Sequence, residues 1–242
     1  MNQLISLGYL DLGLAALLVL ALIGLVARMQ LGLSAQLLVA AVRTAVQLSL
    51  LGLILKAVFA GASIFTVAGM SLVMLVAAAM EILSRQKRKL HRRWGFSISI
   101  ISLFISSFLI TVFALLIIIR VEPWYTPQYA IPLLGMLLGN TMNGIALGMD
   151  RLVQTAWQQR MVIEQRLMLG QTAAEAIRDI RRDSMRAGMI PIINAMAAAG
   201  IVSLPGMMTG QILAGSSPQE AVNYQILIMF LITAGTGFGV VS

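Results

Sequence analysis

Amide, hydroxyl and thioether side chains stand inside strongly apolar stretches of this chain, where leucine alone would suffice for a membrane anchor. Amide and hydroxyl groups in hydrocarbon must find hydrogen-bond partners, so they point to neighbouring helices or to a watery cavity. Inter-helix contact is one interpretation, and a solute path is the other. The candidate path residues are Arg43, Gln47, Asn140, Asn143, Asn194, Ser203, Pro205, Met207, Met208, Thr209 and Gln211.

The adjacent Met207 and Met208 could ligate a metal ion, because thioethers bind soft ions. The chain holds 16 methionines, however, and methionine in an apolar segment ordinarily fills gaps in the packing. Packing is therefore the favoured interpretation. The two thioethers remain weak candidates for a metal site whose ligands the sequence leaves unknown.

Arg43 and Gln47 share a helical face with Gln36 and Ala40, by their spacing of three and four. An arginine inside a membrane helix costs roughly 2.5–3.5 kcal/mol on insertion scales. Three interpretations remain open. Arg43 extends to the lipid headgroups, forms an ion pair with Glu81, or contacts the transported solute.

Enzyme signatures are absent from the sequence. There is no His-Glu-x-x-His helix, no Gly-x-Ser-x-Gly turn and no Gly-Lys-Ser/Thr phosphate loop. The chain has no cysteine, and its single histidine is His91. We therefore predict no catalytic residue and no cofactor in this chain, so that any nucleotide hydrolysis takes place on a separate chain.

Composition places these residues in a polytopic membrane protein. Hydrophobic residues make up 59% of the 242 residues, charged residues 11%, and the mean hydropathy is +0.92. A run of about 20 apolar residues spans the hydrocarbon layer as a helix. We predict one all-α membrane domain over residues 1–242, with seven spans at about 7–27, 35–58, 62–83, 96–119, 130–149, 187–213 and 220–241.

The positive charge lies on one side of these spans. Of 17 basic residues, six lie in 85–93 and seven in 151–186, and Arg28 falls on the same side. Lys and Arg accumulate in cytoplasmic loops, which predicts an outside N-terminus and a cytoplasmic C-terminal end. The net charge of +8 is thus a topology signal with a secondary role in lipid contact, and nucleic-acid binding is not expected.

Two spans carry unusual backbone signals. In the fifth, Gly135 and Gly139 are four residues apart, as are Gly144 and Gly148, a spacing that lets helix backbones approach closely in lipid. In the sixth, Pro205-Gly206 predicts a kink or a broken helix, because proline removes a helical hydrogen bond. Broken helices at membrane depth line cavities or lie buried in protein.

The segment 151–186 encodes a helix, a glycine turn and a second helix. Leu152, Ala156, Ile163 and Leu167 recur at helical spacing, and Gly170 supplies a left-handed helix end. The run from Thr172 to Glu175 is a capping box that begins the next helix. We predict that this helical element projects into the cytoplasm.

These motifs resemble the FetB family of ABC-transporter permeases, which includes bacterial iron-export permeases and plant half-transporters linked to aluminium tolerance. The matching runs are Ile131–Met136, Gly139–Met142, Arg182–Ala187, Gly200–Gly210, Ile212–Gly215, Tyr224–Ile226 and Arg43–Gln47. The resemblance implies a permease that dimerises and binds two ATP-binding subunits, which carry ATP and Mg. Family members continue into a basic tail, whereas this chain ends at Ser242 inside its last span, so we expect a truncated sequence.

Glu164 and Gly170 also resemble the Glu-Ala-Ala…Gly coupling loop of ABC importers. The pattern then departs, because Arg181-Arg182-Asp183 replaces the expected apolar residue and proline. The resemblance thus supports coupling through 164–180 and leaves the direction of transport open. The predicted ATPase-coupling residues are Glu164, Arg166, Leu167, Gly170, Thr172, Glu175, Ile177 and Arg178.

Our leading hypothesis is a homodimeric, multi-pass ABC permease of a bacterial inner membrane that exports metal ions such as iron. An organic or lipidic cargo, for example a nucleotide sugar, is the alternative, because few acidic residues lie within the spans. A self-contained channel or an intramembrane enzyme is a third class. The channel would conduct without ATP, and the enzyme would need a catalytic dyad that the sequence lacks.

Overall fold

The computed structural model describes residues 8–61, 63–86 and 92–242, and these are helical apart from short connections and one isolated bridge between Ala199 and Ser203. They form two compact units, one ending at Gly61 and the other covering the rest. The predicted basic run at 85–93, with His91, lies mostly outside the described residues. The all-α prediction is confirmed.

The first unit is a pair of helices, α1 over Tyr9–Arg28 and α2 over Ser34–Ala60, that pack against each other. The first turn of α1 is capped by Asp11, whose carboxylate accepts a hydrogen bond from the Gly8 N–H at 2.8 Å. Arg43 and Gln47 lie on α2 and are exposed within this unit.

The second unit is a helical bundle centred on one long helix. The unit consists of α3 Ile64–Arg85, α4 Arg92–Leu103, a π-helical segment Phe104–Phe108, α5 Leu109–Phe113, a second π segment Ala114–Ile119, α6 Pro127–Gln158, α7 Arg160–Met168, α8 Ala173–Ala176, α9 Arg178–Ala198, α10 Gly206–Leu213 and α11 Pro218–Val241. The long central helix is α6. It packs against α3, α9 and α11, and its core residues include Leu134, Leu138 and Ile145.

Six helices of the described chain are long and apolar enough to cross a membrane. They correspond to six of the seven predicted spans, and the fourth is one continuous run, Gly95–Ile119, that includes both π segments. The predicted span 187–213 is not among them, because its residues are divided between α9 and α10. The count of seven therefore stays a prediction.

Four glycines of α6 were predicted to let another helix approach closely. Only Gly144 and Gly148 lie against the backbone of a neighbouring helix that the structure describes. A Cβ placed on Gly144 would lie 3.0 Å from the Gly188 carbonyl oxygen of α9, and one on Gly148 would lie 3.3 Å from the Ser184 carbonyl oxygen. A Cβ on Gly135 would meet only the Met74 methyl, at 3.2 Å, and one on Gly139 would meet no described atom within 4 Å. Close backbone packing is thus confined to the half of α6 that faces α9.

Candidate functional site

The connector between α6 and α9, residues 159–177, differs from the prediction where it begins. We expected one helix from about residue 152 to the glycine turn. Instead α6 continues unbroken to Gln158, and an irregular residue, Gln159, separates it from α7. The Arg160 guanidinium lies 4.9 Å from the Trp157 ring centre across this junction, a cation–π contact between the two helices. The sequence has neither glycine nor proline there to signal it.

Gly170 ends α7 as predicted. It has a φ of +88°, in the left-handed region, where a Cβ would be strained. Its N–H donates to the Leu167 carbonyl at 3.0 Å, and the Gln171 N–H donates to the Arg166 carbonyl at 3.1 Å. This pair of bonds is a Schellman motif, which satisfies the last carbonyls of a helix.

The predicted capping box follows at once. The Thr172 N–H donates to Glu175 Oε2 at 2.9 Å, and the Glu175 N–H donates to Thr172 Oγ1 at 3.3 Å. The backbone hydrogen bond from Thr172, and then the bond from its hydroxyl, hold the pKa of Glu175 below its usual value, because both favour the ionised carboxylate. The box begins α8 two residues after the glycine turn.

Arg166 of α7 contacts a residue of α8 and a residue of α9. Its Nη1 donates to the Ala176 carbonyl oxygen at 2.9 Å, and its Nη2 lies 3.4 Å from Asp179 Oδ2. Ala176 and Ile180 are buried, whereas α7 buries none of its residues. The corner between α7 and α9 is therefore packed on the side of α8 and α9, and Arg166 bonds α7 to it. The corner forms one side of an open polar cavity of about 400 Å³, lined by Arg166, Leu169, Gly170, Gln171, Glu175, Arg178 and Asp179.

Most of the predicted coupling residues lie at this corner. Arg166, Gly170, Glu175 and Arg178 line the polar cavity, and Thr172 contacts it through Glu175. Sequence reasoning missed two apolar residues at the turn. Met168 is 79% exposed and Leu169 is 83% exposed. The remaining predicted residues are Glu164 and Leu167, which are exposed on α7, and Ile177, which is half-buried between α8 and α9.

The helix break predicted at Pro205-Gly206 is present and wider than expected. α9 ends at Ala198 and α10 begins at Gly206, with Pro205 at its N-cap. Between them Gly200, with a φ of +81°, donates its N–H to the Ser203 carbonyl at 2.9 Å. The chain therefore forms a tight non-helical turn between two helices.

The break forms one wall of a cavity of about 520 Å³ between α9, α10 and α11. Of the predicted path residues, Pro205 and Met208 line this cavity. Gln225 of α11 lines it as well, and sequence reasoning missed it. The signal available was a glutamine inside the last apolar span, two turns from its start.

The other predicted path residues lie elsewhere or make local bonds. The Asn140 amide donates to the Met136 carbonyl of its own helix at 2.8 Å, and Asn143 Oδ1 accepts from Arg85 Nη1 at 2.6 Å. Thr209 Oγ1 bonds the Pro205 carbonyl oxygen at 3.3 Å. Their role in a path stays a prediction, as does that of Arg43, Gln47, Asn194, Ser203, Met207 and Gln211.

Comparison with known proteins places this helical arrangement in a family. The model of an uncharacterised protein family, UPF0014, matches residues 9–242. The chain belongs to the UPF0014 family. No solved structure gives a significant match.

Three curated relatives show which proteins this UPF0014 chain is similar to. A UPF0014 membrane protein of Synechocystis is 42% identical over 96% of this chain and 88% of its own length. The probable iron export permease protein FetB of Escherichia coli is 32% identical over 92% of this chain and 83% of its own length. The protein ALUMINUM SENSITIVE 3 of Arabidopsis thaliana is 38% identical over 50% of this chain and 43% of its own length. The resemblance inferred from the sequence is thus confirmed.

The described part of this UPF0014 chain holds no cluster of three or more His, Cys, Asp or Glu side chains that could hold a metal ion. The acidic Glu81 has Arg85 as an ion-pair partner at 3.3 Å. The predicted pairing of Glu81 with Arg43 joins residues of different units and stays a prediction.

Proposed function

We propose that this chain is the membrane-spanning permease subunit of an ATP-driven ABC transporter that exports metal ions such as iron. The observation that carries the proposal is the similarity, over nearly the full chain, to a protein named as a probable iron export permease. The permease acts as a homodimer in a bacterial inner membrane, with its N-terminus outside and its C-terminal end in the cytoplasm. It has no catalytic residue of its own.

The partner is an ATP-binding subunit that holds ATP and Mg and docks on the connector between α6 and α9. Two features of the connector support this assignment. Its corner is internally bonded by Arg166, so a push at the turn moves α7 and α9 together. Its apex exposes Met168 and Leu169 to solvent, and an exposed apolar patch on a polar element is typical of a protein contact.

The coupling assignment is tested with the chain and its cognate ATP-binding subunit reconstituted in vesicles. We expect the permease to stimulate ATP hydrolysis, and Leu169→Glu to abolish the stimulation, because it places a charge in the docking contact without altering buried packing. Leu31→Glu is the matched control, since Leu31 is an exposed leucine in the connection between α1 and α2. Normal stimulation by Leu169→Glu contradicts the docking assignment.

Gly170→Val tests the same element through its backbone. The left-handed φ of Gly170 strains a β-branched residue, so the turn rearranges and ATPase stimulation falls. The polar cavity at the corner then loses its shape, while the bundle around α6 keeps its helical signal by circular dichroism.

Transport is tested in inside-out vesicles whose membrane contains the complete transporter. We expect ATP-dependent accumulation of ferrous iron, and none with the ATP-binding subunit inactivated in its phosphate loop. Accumulation without ATP favours a channel.

An organic or lipidic cargo is the second candidate, and a specific observation favours it. The cavity beside the helix break is walled almost entirely by apolar side chains, whereas the described residues offer no acidic cluster for a hard cation. ATP-dependent uptake of an organic solute with no uptake of iron would decide for this candidate.

A further inference from the structure

The cavity between α9, α10 and α11 has the size and lining of a small-molecule site. Its volume is about 520 Å³, within the range of roughly 300–1,000 Å³ typical of ligand pockets. Apolar side chains from all three helices and from the Gly200 turn form its walls. It lies within the second unit and opens at the surface of that unit.

Gln225 supplies the one polar group that lacks a partner in this wall. The residue is 8% exposed, and its Oε1 is buried with no hydrogen-bond partner among the described residues. A buried amide without a partner costs about 1–3 kcal/mol. The Oε1 atom is itself covered, so a hydroxyl group of a molecule in the cavity would pair with it once the amide turns toward the cavity. The hydroxyl would then remove that cost, because it both donates and accepts and so can pair with either end of the amide.

The three methionines of the wall, Met196, Met208 and Met229, first suggest a soft metal ion. The Met196 sulfur lies 2.9 Å from the Thr233 hydroxyl oxygen, whose single hydrogen can bond either this sulfur or the Met229 carbonyl oxygen at 2.7 Å. A metal ion would compete with that contact, and among the described residues no charged side chain or imidazole lines the cavity to help hold it. Flexible methionines instead let an apolar wall adapt to ligands of different shape.

We infer that this cavity binds a small amphipathic organic molecule, with its apolar body among the methionines and a hydroxyl head on the Gln225 amide. The inference goes beyond the proposed permease function, because it concerns an organic ligand of this cavity and not the exported ion. Binding itself needs no ATP-binding subunit, so the two can fail separately.

The test is photolabelling of the full chain in lipid nanodiscs with a diazirine-bearing octanol, followed by peptide mass spectrometry. We expect adducts concentrated on the α9–α11 wall and suppressed by excess octanol. The matching diazirine-bearing octane, which lacks the hydroxyl, should label this wall about fivefold less at equal concentration, the loss expected for one hydrogen bond.

Two variants locate the site. Gln225→Leu should lower the saturable labelling about fivefold, and Gln219→Leu, an exposed glutamine in the first turn of the same helix, should leave it unchanged. Val222→Phe reduces the cavity from the α11 side and should abolish labelling without altering Gln225. Circular dichroism of each variant separates loss of binding from loss of fold.

Three outcomes would overturn the inference. Equal labelling by the octanol and the octane, unchanged in Gln225→Leu, would identify the occupant as a lipid acyl chain. Labelling that appears only in monomers isolated from dimers would mean that a second copy of the chain covers the cavity. Suppression of the label by silver(I) ions, with no suppression by octanol, would identify a thioether site for a soft ion.

Discussion

Gly144 of α6 and Gly188 of α9 meet backbone to backbone. A Cβ on Gly188 would lie 2.7 Å from the Gly144 carbonyl oxygen, closer than real Cβ atoms approach. Val240 of α11 closes the same contact from the third side. Because neither glycine has a side chain, the backbone of α9 can pack directly against the backbone of α6. The connector and the cavity wall are joined to α9, so this crossing also positions them.

Gly188→Ala should therefore destabilise the second unit. The added methyl meets a carbonyl oxygen that cannot rotate away, and overpacking of this kind costs about 1–3 kcal/mol. The free energy of unfolding in mild detergent, measured by denaturant titration, gives the cost.

Gly139→Ala is the matched control on α6, because its Cβ would meet no described atom within 4 Å. Alanine is the better helix former by about 1 kcal/mol, so this variant should be neutral or stabilising. Equal losses for Gly139→Ala and Gly188→Ala would contradict the close crossing.

The bond from Arg85 Nη1 to Asn143 Oδ1, at 2.6 Å, connects the end of α3 to α6. A double-mutant cycle of Arg85→Ala and Asn143→Ala should give a coupling energy of about 1 kcal/mol, because a charged donor strengthens the bond while partial exposure screens it. Denaturant unfolding of the four proteins measures this energy. A coupling energy near zero would show that the bond does not hold the helices together in solution.

Glu175 should have a pKa below that of an ordinary glutamate. The capping box favours its ionised form, so the box contributes stability above the pKa of the unfolded chain. That contribution is lost as the pH falls through the lowered pKa of the folded state. A carboxyl-carbon NMR titration of the labelled protein measures this pKa.

Thr172→Ala should raise the pKa of Glu175 only part of the way, because the backbone bond from residue 172, the larger cause, survives the substitution. Arg178→Ala should raise it less, since that charge is the last of the causes. A larger rise with Arg178→Ala would mean that the charge of Arg178, and not the cap, controls this carboxyl group.

The packing interpretation of Met207 and Met208 predicts that leucine can replace both. Leucine is close to methionine in volume, and such exchanges usually cost less than about 1.5 kcal/mol. The double variant should therefore export iron at the normal rate in the vesicle assay. Lost export with a normal unfolding transition would instead support thioether ligation.

Local signals predicted the features that depend on neighbouring residues alone. The left-handed Gly170, the capping box of Thr172 and Glu175, and the break at Pro205 are all present. Each follows from backbone geometry or from hydrogen bonds within a few residues. The same locality explains why five of the seven predicted spans agree with the observed helices to within a few residues. The fifth span instead continues past residue 149 to Gln158, and the sixth is divided between α9 and α10.

The irregular residue between α6 and α7 had no such signal. Gln159 is neither a glycine nor a proline, and the helical pattern of Leu152, Ala156 and Ile163 continues through it. The division appears only in the structure, where α6 ends at Gln158 and α7 begins at Arg160. The hydrophobic periodicity therefore predicted the helices on both sides of Gln159 correctly, but it missed their separation at that residue.

The sequence by itself determined the membrane class, the helices and the caps, because hydrophobic length and short-range hydrogen bonding set these. Only the tertiary structure decided which polar groups share a site. Gln225 faces the break because α9, α10 and α11 converge there, and Asn143 bonds Arg85 although 58 positions separate them. Contacts of that kind depend on helix packing over long sequence distances, which no local pattern encodes.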